Sequence, residues 1–286
     1  MQAVETQPSP MPLANLPPIR EVIRAHGLSA DKRFGQHFLT DPNILSRIAA
    51  AAEPINQGTI IEIGPGPGGL TRALLERGAS RLIVIEIDPR CAEIAREIAE
   101  EEPRLTVIEG DALEIDVEDL GPPPRKIVAN LPYNIATPLL IKWLRTSAYH
   151  SDAINLMTLM FQREVADRLL AKPGQKTYGR LSVLTQWRTI ANKVIDLPAG
   201  AFTPPPKVRS SVINLNPLPA LDDPDLFQAM ERTTAAAFGQ RRKMLRQSLK
   251  AIRNSEEILK IACLDGSRRA ETLSTSEFVA LATAAR

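Results

Sequence analysis

From Gly58 onward the apolar positions switch between two periods. Short unbroken apolar runs alternate with stretches in which apolar residues recur every three or four positions. A run such as Leu82-Ile83-Val84-Ile85 suits a parallel strand buried on both faces. The stretches between suit helices that lay one face on such a sheet. This pattern predicts strands over 59–63, 81–87, 105–109, 126–129 and 153–160. It predicts helices over 70–77, 89–101, 135–144, 161–171 and 180–189, and late strands over 194–197 and 211–215. Upstream, residues 19–26 read as a short helix ending at Gly27. Asp41-Pro42 reads as a cap and first-turn pair opening a helix through Ala52. The alternation of strand and helix defines an α/β fold. Pro217, Pro219 and Pro224 interrupt the chain, and from Asp225 every strong period is helical.

Three segments are therefore expected. Residues 1–18 hold five prolines and no Lys or Arg, and read as a disordered tail. Residues 19–218 form the α/β domain, and residues 219–286 a small all-helical one. A chain of 286 residues with 44% hydrophobic content can build cores for both. The tail lacks the basic and apolar regions of a secretory signal, and no 18-residue apolar run exists. Cys91 and Cys263 are far apart and form no metal-binding spacing, so both are expected as buried free thiols in a reducing cytoplasm. The net charge is +2, but residues 201–286 carry 13 basic and 9 acidic side chains, while the rest carries 22 and 24. That bias suits a polyanionic partner as well as a plainly solvated helical surface.

Two motifs carry chemistry. Asn130-Leu131-Pro132-Tyr133 follows the apolar strand 126–129 and precedes a helix. An Asn side-chain carbonyl and the neighbouring backbone carbonyl can together accept the two hydrogens of a planar amino group. The Tyr ring can stack on the heterocycle that bears it, and Pro132 restricts Leu131 and helps aim its carbonyl. The arrangement suits methyl transfer to an exocyclic amine of a base.

The second motif, Glu62-Ile63-Gly64-Pro65-Gly66-Pro67-Gly68-Gly69, follows the first strand. Its glycines match a dinucleotide fingerprint, and Glu86 ends the next strand, where its carboxylate would accept from ribose hydroxyls. The pattern alone fits a nicotinamide cofactor and S-adenosylmethionine equally. Glu62 moves the choice. A carboxylate there would balance a cofactor's ammonium and repel a pyrophosphate. Asp111 ends the third strand, where it would accept from an adenine amino group or cap a helix.

Taken together, the motifs resemble the ribosomal RNA small-subunit adenine N6,N6-dimethyltransferase family. The matching pieces are Phe34-Gly35-Gln36-His37-Phe38-Leu39, the glycine loop, Val84-Ile85-Glu86-Ile87-Asp88, Gly110-Asp111-Ala112 and Asn130-Leu131-Pro132-Tyr133-Asn134. Phe202-Thr203-Pro204-Pro205-Pro206-Lys207-Val208 and Phe238-Gly239-Gln240-Arg241-Arg242-Lys243 follow in the family's order. The resemblance implies a Rossmann-like class I methyltransferase domain with a mostly parallel seven-stranded sheet. It implies transfer of two methyl groups from S-adenosylmethionine to N6 of each of two adjacent adenines near the 3′ end of small-subunit rRNA. The substrate would be a pre-ribosomal particle, and the location the cytoplasm.

Carried over by position, cofactor contacts fall on His37, Leu39, Gly64, Glu86, Asp111 and Asn130, and catalysis on Asn130, Leu131, Pro132 and Tyr133. Many members have Asn where this chain has His37, and either side chain can donate one hydrogen bond. Arg209 stands where members often show Asp. Tyr133 is expected on one face of the target base and Phe202 on the other.

RNA contacts are expected at Arg241, Arg242, Lys243, Arg246 and Lys250. Arg242, Arg246, Lys250 and Arg253 recur at helical spacing opposite Phe238, Leu245, Leu249 and Ile252, so one continuous basic-striped helix is predicted there. No metal is implied, and a monomer is expected because no segment reads as an extra apolar interface. The alternatives are a large-subunit rRNA or adenine-DNA methyltransferase, and a ribosome-assembly factor for which catalysis is incidental.

Overall fold

Asp41 opens the first long helix as its sequence predicts. In the computed structural model, which describes residues 16–29 and 36–286, its carboxylate accepts from the N–H groups of Asn43 and Ile44. Most of the expected tail (residues 1–15) and the Phe34-Gly35 pair lie outside the described residues. The chain runs through α1 (Ile19–Ala25), β1 (Phe38–Leu39), α2 (Pro42–Ala51), β2 (Thr59–Ile63), α3 (Gly69–Glu76), β3 (Leu82–Glu86), α4 (Pro89–Glu101) and β4 (Leu105–Glu109). It continues through β5 (Arg125–Ala129), α5 (Ala136–Tyr149), β6 (Leu156–Gln162), α6 (Arg163–Leu169), α7 (Arg180–Arg188), β7 (Thr189–Leu197), β8 (Phe202–Thr203) and β9 (Ser210–Pro217). The C-terminal helices are α8 (Asp225–Gly239), α9 (Leu245–Ser248), α10 (Ser255–Ile261) and α11 (Thr275–Ala284).

Seven strands form one sheet in the order β4-β3-β2-β5-β6-β9-β7. The first five are parallel. β9 runs antiparallel to β6, and β7 antiparallel to β9. Every residue of β2, β3 and β5 is buried, which explains their unbroken apolar runs. Alternate side chains divide between two cores. Ile61, Ile83 and Ile127 pack beneath α5, α7, α8 and α11, with Trp143, Phe161, Phe227 and Phe278. Ile60, Val84 and Val128 pack on the other face against α2, α3 and α4. The first cluster runs unbroken from the sheet into the C-terminal helices. Full burial of each large side chain contributes about 1.5–3 kcal/mol.

Three expectations are corrected. Phe161 and Gln162, predicted in a helix, are the last two residues of β6 instead: Phe161 is fully buried and pairs with Ser211 of β9, Gln162 pairs with Ser210, and the helix waits until Arg163. Cys263 is exposed, whereas Cys91 is buried; both are free. The continuous basic helix does not form. α8 stops at Gly239, Lys243 N–H turns back to the Gln240 carbonyl, and Leu245 and Arg246 donate their N–H groups to the Arg268 and Gly266 carbonyls. Leu245 and Leu249 still reach the core, but through a turn and a short helix.

Candidate active site

β2 lies between β3 and β5. The chain leaves β2 toward β3 and later returns on the other side at β5. Connections diverging in this way leave a crevice at the carboxyl ends of the strands. A cavity of about 300 Å³ fills that crevice, and its walls include Gly64, Glu62, Glu86, Asp111, Asn130, Tyr133 and His37.

The glycine loop folds as its residues require. Gly64, Gly66 and Gly68 take φ of +66°, +55° and +83°, a region that side chains other than glycine rarely adopt. A Cβ on Gly66 would also stand 3.2 Å from the Phe38 ring. Gly68 then caps α3.

Three carboxylates occupy the strand ends. Glu62 is 1% exposed, and its Oε2 accepts from Thr71 Oγ1 at 2.7 Å. Burial, reinforced by nearby Glu86, lifts its pKa to about 8 despite the Thr71 bond. Glu86 is 5% exposed; Oε2 accepts from Gly66 N–H at 3.2 Å and Oε1 from Asp88 N–H at 2.9 Å. Burial raises this carboxyl too, and the backbone N–H groups of Asp88, Gly66 and Ile87 oppose the rise. Those donors fix the carboxylate in place, and each oxygen keeps a lone pair for a further donor. Asp111 accepts from Leu113 N–H at 2.8 Å and so holds a turn. The next helical turn, Val117–Asp119, is preceded by Asp116, so the capping alternative does not apply to Asp111.

The quartet begins where β5 ends. Asn130 Nδ2 donates to the His37 carbonyl at 3.1 Å. A carbonyl can only accept, so this bond settles which way the carboxamide points. Asn130 Oδ1 takes no hydrogen bond from the described residues, and neither does the Leu131 carbonyl. The Leu131 side chain is buried and anchors the turn. Tyr133 is half-buried; its hydroxyl shares a 2.8 Å hydrogen bond with Ser210 Oγ, and burial raises its phenol above the usual range. His37 lies 5.7 Å from the Tyr133 ring centroid, and its Nδ1 donates to the Pro204 carbonyl at 2.9 Å. Leu39 is a buried wall of the cavity.

Phe202 is placed differently from its sequence expectation. It is 3% exposed and packs in the core with Leu39, Leu45 and Ile48. β8 pairs it with Leu39. It is not a wall of the cavity and presents no open face to a base. Of the expected RNA contacts, Arg241 is tied to Glu271 at 2.9 Å and to the Gln175 carbonyl. Arg242, Lys243, Arg246 and Lys250 are exposed.

Sequence reasoning passed over four contributors. Ile87 is 46% exposed at the cavity wall, where an apolar surface suits a flat heterocycle. Its signal was an apolar residue just beyond the buried strand. Thr71 holds Glu62, and Gln36 Nε2 donates to Asp88 at 2.8 Å, joining the β1 loop to the β3 end. Ser210 tethers Tyr133 across 77 positions, and nothing local to Ser210 announces that. Among the described residues no group of His, Cys, Asp or Glu is placed to hold a metal ion. No described helix is long and apolar enough to cross a membrane.

An open sheet with an antiparallel final pair, a glycine loop at its crevice and acids on successive strand ends together define a Rossmann-like methyltransferase. Residues 27–285 match the family described as ribosomal RNA adenine dimethylase. The chain belongs to that family, and is thus an rRNA methyltransferase whose fold and family imply S-adenosylmethionine as methyl donor. It is 57% identical over 270 residues to the ribosomal RNA small subunit methyltransferase A of Rhodospirillum rubrum, covering 94% of this chain and 92% of that one. The protein of the same name from Paramagnetospirillum magneticum is 52% identical, covering 95% and 96%. A dimethyladenosine transferase from Plasmodium falciparum superposes with a TM-score of 0.69 at 28% identity, covering 86% of this chain and 96% of that one. The 23S rRNA methyltransferase ErmE gives 0.64 at 27% identity, covering 86% and 98%.

Proposed function

We propose that the enzyme converts two adjacent adenines near the 3′ end of small-subunit rRNA to N6,N6-dimethyladenosine. It would act as a monomer on a pre-ribosomal particle in the cytoplasm. The observation that carries the reading is the carboxamide of Asn130. One N–H of its NH2 is held by the His37 carbonyl, so its oxygen is left as an oriented acceptor beside the cavity. The names of the 57% and 52% identical relatives support the small subunit over the large one.

The cavity's chemistry fits the methyl donor. Glu86 would accept from ribose hydroxyls, Asp111 from an adenine amino group, and Glu62 would face an ammonium. Gly64, His37 and Leu39 supply close backbone, and Ile87 an apolar face. When bound, S-adenosylmethionine supplies an electrophilic methyl group on a sulfonium. The chain's own residues do the rest. The lone pair of adenine N6 is delocalised into its ring, so the amine is a poor nucleophile. Asn130 Oδ1 and the Leu131 carbonyl accept its hydrogens and favour a more tetrahedral nitrogen. The lone pair then points along the line of displacement. Such positioning is worth on the order of 7–11 kcal/mol in favourable intramolecular cases. The newly methylated nitrogen is a strong acid and gives its surplus proton to water, so no strong base is needed, which suits a neutral carboxamide. Tyr133, held by Ser210, stacks on the base for roughly 1–3 kcal/mol and offsets part of the cost of extrusion. Residues 219–286 would serve as the RNA-binding domain, with Arg242, Lys243, Arg246 and Lys250 at phosphates and Arg241 as a structural tie.

The test is transfer of labelled methyl from S-adenosylmethionine to unmethylated small subunits, followed by nucleoside analysis. Label should appear in N6,N6-dimethyladenosine, and Asn130→Ala should lose roughly 100-fold or more of the rate. Label in another nucleoside, or an undiminished Asn130→Ala rate, would refute the reading.

A further inference from the structure

The segment 204–209, between β8 and β9, is fastened at both ends to walls of the cavity. At one end His37 Nδ1 donates to the Pro204 carbonyl at 2.9 Å. Just past the other end, Ser210 holds the Tyr133 hydroxyl at 2.8 Å. Between these anchors, the Arg209 carbonyl accepts from Arg163 N–H at 2.9 Å, which pins the segment against the junction of β6 and α6. The result is a strap on the cavity's rim, one residue away from the tether of the stacking ring.

The strap carries Lys207 and Arg209. Both are exposed, and no acidic residue among those described pairs with either. Neighbouring Arg163 is itself 44% exposed, with its nearest acid, Asp167, at 3.8 Å. Behind the strap the walls carry Glu62, Glu86 and Asp111. A strand that gives one base to such a cavity keeps its phosphates outside, at the rim. There a phosphate needs fixed cations, which the acidic walls of the cavity do not supply.

We propose that Lys207 and Arg209 form a phosphate-binding rim that grips the RNA backbone beside the extruded adenine. The inference rests on the reading of the site as an adenine methyltransferase. It also gives the charge at position 209 a purpose.

The test measures steady-state methyl transfer to unmethylated small subunits across a salt series, for the wild type, Arg209→Asp, Arg209→Lys and Lys207→Ala. Arg209→Asp should raise KM for the subunit about 10-fold, leave kcat within about twofold, and leave S-adenosylmethionine affinity unchanged. Its affinity should fall less steeply with salt, by about one in the log–log slope, because one phosphate contact is gone. Arg209→Lys should recover most of the loss, and Lys207→Ala should show a smaller loss of the same kind. A wild-type KM and slope in Arg209→Asp would overturn the proposal. So would a fall in kcat together with cofactor affinity, which would mean that the strap merely supports the cavity. Failure of the wild-type enzyme to methylate the subunits at all would instead sink the reading of the site, and this inference with it.

Discussion

Replacing Glu62 by glutamine removes a proton that folding traps. Glu62 is fully buried at the end of β2, and its pKa stands at about 8 against 4.5 for the free side chain, chiefly through burial. The folded protein therefore keeps a proton that the unfolded chain releases above pH 4.5. The stability linked to that proton is complete below pH 4.5 and is lost as the pH rises through about 8. The gap between the two values corresponds to on the order of 5 kcal/mol. Glutamine keeps a carbonyl oxygen for Thr71 and does not titrate. Its buried NH2 lacks a partner, at a cost of about 1–3 kcal/mol. At pH 8.5 and without cofactor, Glu62→Gln should then be about 2–4 kcal/mol more stable than the wild type, a rise of several degrees in Tm. At pH 5 the order should reverse. Urea or thermal unfolding from pH 5 to 9 measures both. Cofactor affinity supplies a second readout. An ammonium beside the carboxylate favours its ionised form, so wild-type affinity should rise with pH up to about 8, while that of Glu62→Gln stays flat and weaker. Parallel pH profiles for the two proteins, in stability and in affinity, would refute the claim that Glu62 carries this proton.

Phe202→Ala should cost about 3–5 kcal/mol in urea denaturation, because it empties a core site under β1 and α2. At a temperature where the variant is folded, its KM for small subunits should match the wild type; wild-type stability with weakened RNA binding would restore the stacking role. Charge reversal of Arg242 and Arg246 together should weaken binding to small subunits and lower the salt slope by about two, as two phosphate contacts would. Unchanged binding would remove this surface from the RNA interface.

The chain's local chemistry was legible in its sequence. Strand runs, the glycine loop and the Asn130 quartet each depend on neighbours within a few positions, so period and residue type suffice to place them. The acids at successive strand ends followed, because parallel strands bring their carboxyl ends to one edge. What only the tertiary structure decided lies between positions far apart. The Asn130 carboxamide is aimed by His37, 93 residues away, and His37 itself is held by Pro204 across 167. Phe202 pairs with Leu39, which turns its ring to the core and removes it from the base site. The amphipathic period through 238–253 reads as one helix, yet Leu245 and Arg246 find their acceptors in the 266–268 loop, and that non-local pairing breaks it. A side chain's type and spacing fix what it can bond to. Burial and pairing across the fold fix which of those bonds forms, and so which groups stay open for chemistry.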